Sequence, residues 1–152
     1  MSDNFGAPLD PNMIKQDEKL MSLFSHLSLF FGGIILPIIF WAINKDKSRF
    51  TAFHALQSLW FHIAYVVSVA VLLIVVLLGG IGFSLLSAGA GSSAMPVFVI
   101  IAIFAFYGLL FLFMFGGIGY SIYMGIKAYE GKLVKYPVIG NMVYKRVYGN
   151  TI

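Results

Sequence analysis

Between Phe50 and Ile126 the chain runs for 77 residues without Asp, Glu, Lys or Arg. A helix crosses the hydrocarbon of a bilayer in about 20 residues, so this run holds two crossings and the connector between them. The chain has 152 residues, of which 60% are hydrophobic and 11% charged, too much apolar surface for a soluble core of that size to hide. The expected fold class is an all-α integral membrane protein.

Three transmembrane helices are expected, over about 20–43, 51–86 and 95–126, within a membrane domain of residues 15–126. Gly6, Pro8 and Pro11 leave no helical period in residues 1–14, which read as a flexible tail. The first 20 residues lack the basic region and cleavage site of a secretory signal, so no cleaved leader is expected. Gly32, Gly33 and Pro37 interrupt the first apolar segment and predict a kink or break there. A kinked crossing is the favoured reading; the alternative is a re-entrant pair of short helices that returns the N-terminus to the cytoplasm. Between the second and third segments, the uncharged SAGAGSSAMP stretch reads as a short external loop.

The net charge of +4 is unevenly placed. Up to Lys19 the balance is −2; Lys45, Lys47 and Arg49 against Asp46 give +2; from Lys127 onward the balance is +4. Loops rich in Lys and Arg stay in the cytoplasm. That puts the basic loop and the C-terminus on the cytoplasmic side of the inner membrane, as two crossings between them require. Cations beside membrane ends are each worth about 1 kcal/mol against anionic headgroups, so the expected partner is lipid rather than nucleic acid. Residues 127–152 carry Lys127, Lys132, Lys135, Lys145 and Arg146 among Tyr129, Tyr136, Tyr144 and Tyr148, a mixture typical of the headgroup zone. This segment reads as a basic interfacial tail with a short amphipathic piece, or as a solvated tail bearing only a topology signal.

Inside the second segment Thr51, His54, Ser58, His62 and Tyr65 recur at steps of three or four, so they share one helix face. An imidazole at depth needs a partner, which turns this row into the protein. Its plainer role is hydrogen bonding between helices, with Gln57, Tyr107 or Tyr120 as partners; the sharper one is a wall of a hydrated passage with His62 titrating. Gly117, Ser121 and Gly125 form a small-residue seam suited to close helix packing. The chain has no cysteine, and His26, His54 and His62 form no metal-ligand motif. Along straight helices from the basic loop, His26 lies about 26 Å and His62 about 18 Å away, so the two meet only if the first segment bends. With no carboxylate in the apolar run and no G-x-S-x-G or phosphate loop, no enzyme activity, cofactor or metal is expected.

HLS at 26–28, Pro37 with IIFW, NKDKSRF, FHALQSLWFHI and KAYEGKLVKYPVIGN together resemble the Tic-twenty-like family, over residues from about 20 to 141. The matching positions are His26, Pro37, Trp41, Lys45, His54, Gln57, Tyr136 and Pro137. The resemblance implies a small helical multi-pass protein. For the chloroplast members it implies four membrane helices and a place in inner-envelope protein import; the bacterial members have no settled activity. The expected function is therefore a non-enzymatic scaffold or accessory subunit of a membrane complex, tied to translocation or assembly and partnered by other subunits or by its own copies. The alternative is an oligomeric permease for ions or small solutes around the polar row.

Overall fold

In the computed structural model, residues 12–31, 33–89 and 97–149 are described. Most of the tail expected over 1–14 and of the loop over 87–96, together with Gly32, lies outside the described residues. All regular structure among the described residues is helical: α1 (Gln16–Leu27), a 3₁₀ turn (Ser28–Phe30), α2 (Ile35–Asn44), α3 (Arg49–Gly89), α4 (Val97–Tyr129) and α5 (Ile139–Tyr148). Among the described residues two stretches are long and apolar enough to cross a membrane, Arg49–Leu86 and Val99–Tyr129.

The single crossing helix expected over 20–43 is replaced by a helical hairpin. α1 opens with Asp17 and Glu18 in its first turn, where carboxylates favour the helix dipole, and the Lys15 N–H donates to Glu18 Oε2 at 3.1 Å. After Leu27 the chain tightens into the 3₁₀ turn and reverses at Gly33, whose φ of +49° is open to glycine at little cost. α2 then starts afresh. Pro37 is its third residue, where a missing N–H breaks no helical bond, so the proline helps begin a helix rather than kink one. The Asn44 amide, at the far end of α2, reaches Met21 Sδ at 3.4 Å, which sets the two arms antiparallel. With 12 and 10 residues, the arms are about 18 and 15 Å long.

The chain divides into two compact units, Met1–Ala64 with Ile118–Ile152, and Tyr65–Gly117. In the first, the hairpin packs with the start of α3 and the end of α4. Ser48 caps α3, its Oγ accepting the Thr51 N–H at 3.2 Å. α5 lies against α3 through Val143, which joins Phe53 and Leu56 in an apolar cluster edged by Trp41, Ile139, Tyr144 and Tyr148. In the second unit the two helices turn apolar side chains such as Val71, Leu77, Phe104 and Leu112 outward. There the Tyr65 ring lies over Gly117, where a Cβ would collide with it, and its hydroxyl donates to the Met114 carbonyl at 2.7 Å.

Candidate functional site

An α-helix leaves its last four carbonyls without helical donors. In apolar surroundings each unpaired one costs several kcal/mol. α1 ends inside the first unit, and side chains from two other helices meet its exposed carbonyls. Ser58 of α3 donates to the Ser25 carbonyl, and Ser121 of α4 donates to the His26 carbonyl at 2.7 Å. Beyond the reversal, His62 Nδ1–H donates to the Gly33 carbonyl at 3.1 Å. Ser28 Oγ lies 2.8 Å from the Ser25 carbonyl and 3.0 Å from that of Gly33, shared between them. At the open end of the hairpin, the Thr51 hydroxyl reaches the Glu18 carbonyl at 3.4 Å. The row on α3 is thus a ladder of donors laid along the hairpin backbone.

His54, the remaining member of the row in this unit, belongs to a second network whose direction one carbonyl decides. A carbonyl only accepts, so His54 Nε2 carries its proton toward Lys132 O at 3.2 Å. His54 Nδ1 is then an acceptor for His26 Nε2–H at 3.2 Å, and His26 Nδ1 accepts from the Tyr136 hydroxyl at 3.1 Å. Gln57 closes the network: its amide donates to Val134 O at 2.9 Å and points at His54 Nδ1, while its Oε1 accepts the Tyr136 N–H at 3.3 Å. Phe61 stacks on the Tyr136 ring at 4.3 Å and seals one side. Every hydrogen bond in the series runs from Tyr136 toward Lys132.

The bend in the first segment is what brings His26 to His54. Straight-helix geometry keeps the histidines apart at staggered depths; the reversal after Leu27 removes that separation. Five of the six imidazole nitrogens hydrogen-bond to protein groups among the described residues. Among the described residues no three His, Asp or Glu side chains converge as a metal site would require. Ser58 and Ser121 both donate to carbonyls, so neither is paired with an imidazole base as a nucleophile would be.

The other singled-out residues are distributed as follows. Gly125 faces α1, with Leu23 Cδ1 3.1 Å and His26 Cβ 3.3 Å from where its own Cβ would stand, while Gly117 serves Tyr65 in the second unit. Lys45 and Lys47 are exposed in the loop, and Arg49 is the exposed first residue of α3. Lys132, Lys135, Lys145 and Arg146 are exposed, Lys135 resting over the Tyr144 ring at 3.8 Å. Lys127 and Lys132 flank Glu130 at 3.0 and 2.6 Å, and their hydrogen bonds, that of Lys132 foremost, hold its carboxyl below the usual range. Tyr136 departs from the headgroup placement expected for it. It is fully buried, because its hydroxyl is committed to His26 and its ring to Phe61. Sequence reading left His26 and Gln57 out of the site proper; the signal available was their polarity inside apolar stretches.

Fold and site define an all-helical protein with two helices of membrane-crossing length and a short helical hairpin fastened beside them by buried donors. Comparison with known families gives a match over residues 17–143 to the magnetosome magnetite crystal formation protein family, MamF/MmsF, and the chain belongs to that family. No curated protein and no solved structure matches it. The Tic-twenty-like resemblance is thereby overturned, and with it both the translocation role and the permease. In the structure the residues that carried it put Pro37 in the first turn of α2, form the basic loop and supply donors of α3.

Proposed function

We propose that this chain acts in magnetite crystal formation in the magnetosome membrane, as a non-enzymatic scaffold. The observation that carries the reading is the extent of the family match. It begins in the first turn of α1 and ends at Val143, the residue by which α5 packs on α3, so it takes in the hairpin, its donors and the network around His54.

In this reading α3 and α4 are the two crossings, and the hairpin enters and leaves the bilayer from the side of the basic loop. The N-terminus, the loop and the C-terminal segment then share the cytoplasmic face, where Lys45, Lys47, Lys135, Lys145 and Arg146 meet anionic headgroups. The chain's part in crystal formation is to organise the membrane and its partners, other subunits or further copies, rather than to ligate iron itself. In support, Glu130 is already taken by two lysines, and five of the six imidazole nitrogens are committed to one another, to Tyr136 or to backbone.

The test is removal of the gene from a magnetite-forming host and measurement of crystal dimensions by electron microscopy. Smaller or fewer crystals, restored by the intact gene, are the expected result. Crystals of unchanged number and size would sink the proposal.

A further inference from the structure

The hairpin presents a surface that its own unit does not cover. Ser22, Ser25, His26 and Ser28 are all turned inward and buried, whereas Phe30, Phe31 and Ile35 at the tip are 52%, 65% and 65% exposed. Its open end is charged: Lys15, Asp17 and Glu18 stand where α1 begins, Lys45 and Lys47 where α2 ends. Arms of about 18 and 15 Å reach roughly half of a hydrocarbon layer about 30 Å thick. On α3 the same depth is marked by His62, 13 residues or about 20 Å beyond Arg49, which holds the Gly33 carbonyl at the reversal. The charged mouth belongs among headgroups and the apolar tip among acyl chains, and the donors from Ser58, Ser121 and His62 keep the hairpin from straightening into a crossing.

We propose that the α1–α2 hairpin is a wedge inserted in one leaflet only, and that the chain therefore prefers strongly curved bilayer, convex on the side of the basic loop. This rests on the two-crossing reading above. The occupant of the exposed face is the acyl-chain layer of that leaflet. Its mouth sets Lys15, Lys19, Lys45 and Lys47 among Asp17, Glu18 and Asp46, charges that stay at headgroup level with Arg49 beside them, and its arms are too short to displace lipid from the opposite leaflet. Volume added to one leaflet alone expands it against the other, and the bilayer relieves the difference by bending. Binding that depends on half-inserted helices is curvature-sensitive for this reason.

The full chain, which has no native cysteine, is tested in vesicles of neutral and anionic phospholipid without iron. With Lys145→Cys labelled by an impermeant dye, only molecules whose basic side faces outward are seen, and their density is compared between a giant vesicle and a narrow tube drawn from it. The expected result is several-fold enrichment in the tube; equal density overturns the proposal. A spin label at Ile35→Cys gives the second reading. Accessibility to oxygen with shielding from a water-soluble nickel reagent is expected. Exposure to nickel, or shielding from both because a second copy covers the tip, overturns the wedge. A failure here leaves the crystal phenotype of the deleted host intact, so the two proposals fail separately.

Discussion

Tyr136 and Tyr148 enter the same unit from the C-terminal segment and differ in what their hydroxyls meet. That of Tyr136 donates to His26 Nδ1, whereas that of Tyr148 is buried with no hydrogen-bond partner among the described residues. Tyr136→Phe should lower the stability of the detergent-solubilised protein by about 1–3 kcal/mol, because it strands the buried His26 Nδ1, and Tyr148→Phe should leave it unchanged or slightly raised. Burial pushes both phenols above their ordinary value of 10. A group whose folded pKa is raised contributes stability below its unfolded value and loses it as pH climbs past that value. Unfolding temperatures should therefore be insensitive to these phenols below pH 10 and fall above it, and the double Phe variant should show a shallower fall. In the sequence Tyr136 reads as interfacial because its neighbours are basic. Its partner is 110 residues away, and no local pattern announces such a bond.

For the hairpin, the two serine donors are not equivalent. The Ser25 carbonyl has Ser28 as well as Ser58, while among the described residues the short hydrogen bond to the His26 carbonyl comes from Ser121, at 2.7 Å. Ser121→Ala should cost about 1–3 kcal/mol, the range for stranding a buried acceptor, and Ser58→Ala distinctly less. Thermal melts of the two single variants decide it. The position of the break was legible from Gly32, Gly33 and Pro37, and so was the common face of Thr51, His54, Ser58 and His62. What the row bonds to was not legible. Its acceptors are backbone carbonyls, which every residue possesses, and only the fold says which ones lack a donor. Tyr65 shares the helical spacing of the row yet is spent on Met114 and Gly117, since a shared face does not ensure a shared neighbour.

For the molecule as a whole, the proposed two-crossing reading has one crossing fewer than the three expected from sequence. Cysteines placed singly at Lys15, Lys47 and Lys145 should all react with an impermeant thiol reagent from the same side of sealed vesicles, with no background from the cysteine-free chain. A through-going first helix would put the Lys15 site opposite the other two. The long apolar helices were visible in composition alone, as 77 uncharged residues demand. The family was not. The residues that resemble the Tic-twenty-like family are the ones that end and restart the first helix, and the family match over 17–143 is to a different family.

By itself, the sequence determined that α3 and α4 are long and apolar, that the first segment breaks near Gly33, and which α3 side chains share a face, because hydrophobic length and helical period are local properties. Only the tertiary structure decided that the first segment folds back, that His26 meets His54 and Tyr136, and that serines from two helices close the end of α1. A bond between distant residues depends on where the backbone turns, and at Gly33 that direction is set by contacts with helices far along the chain.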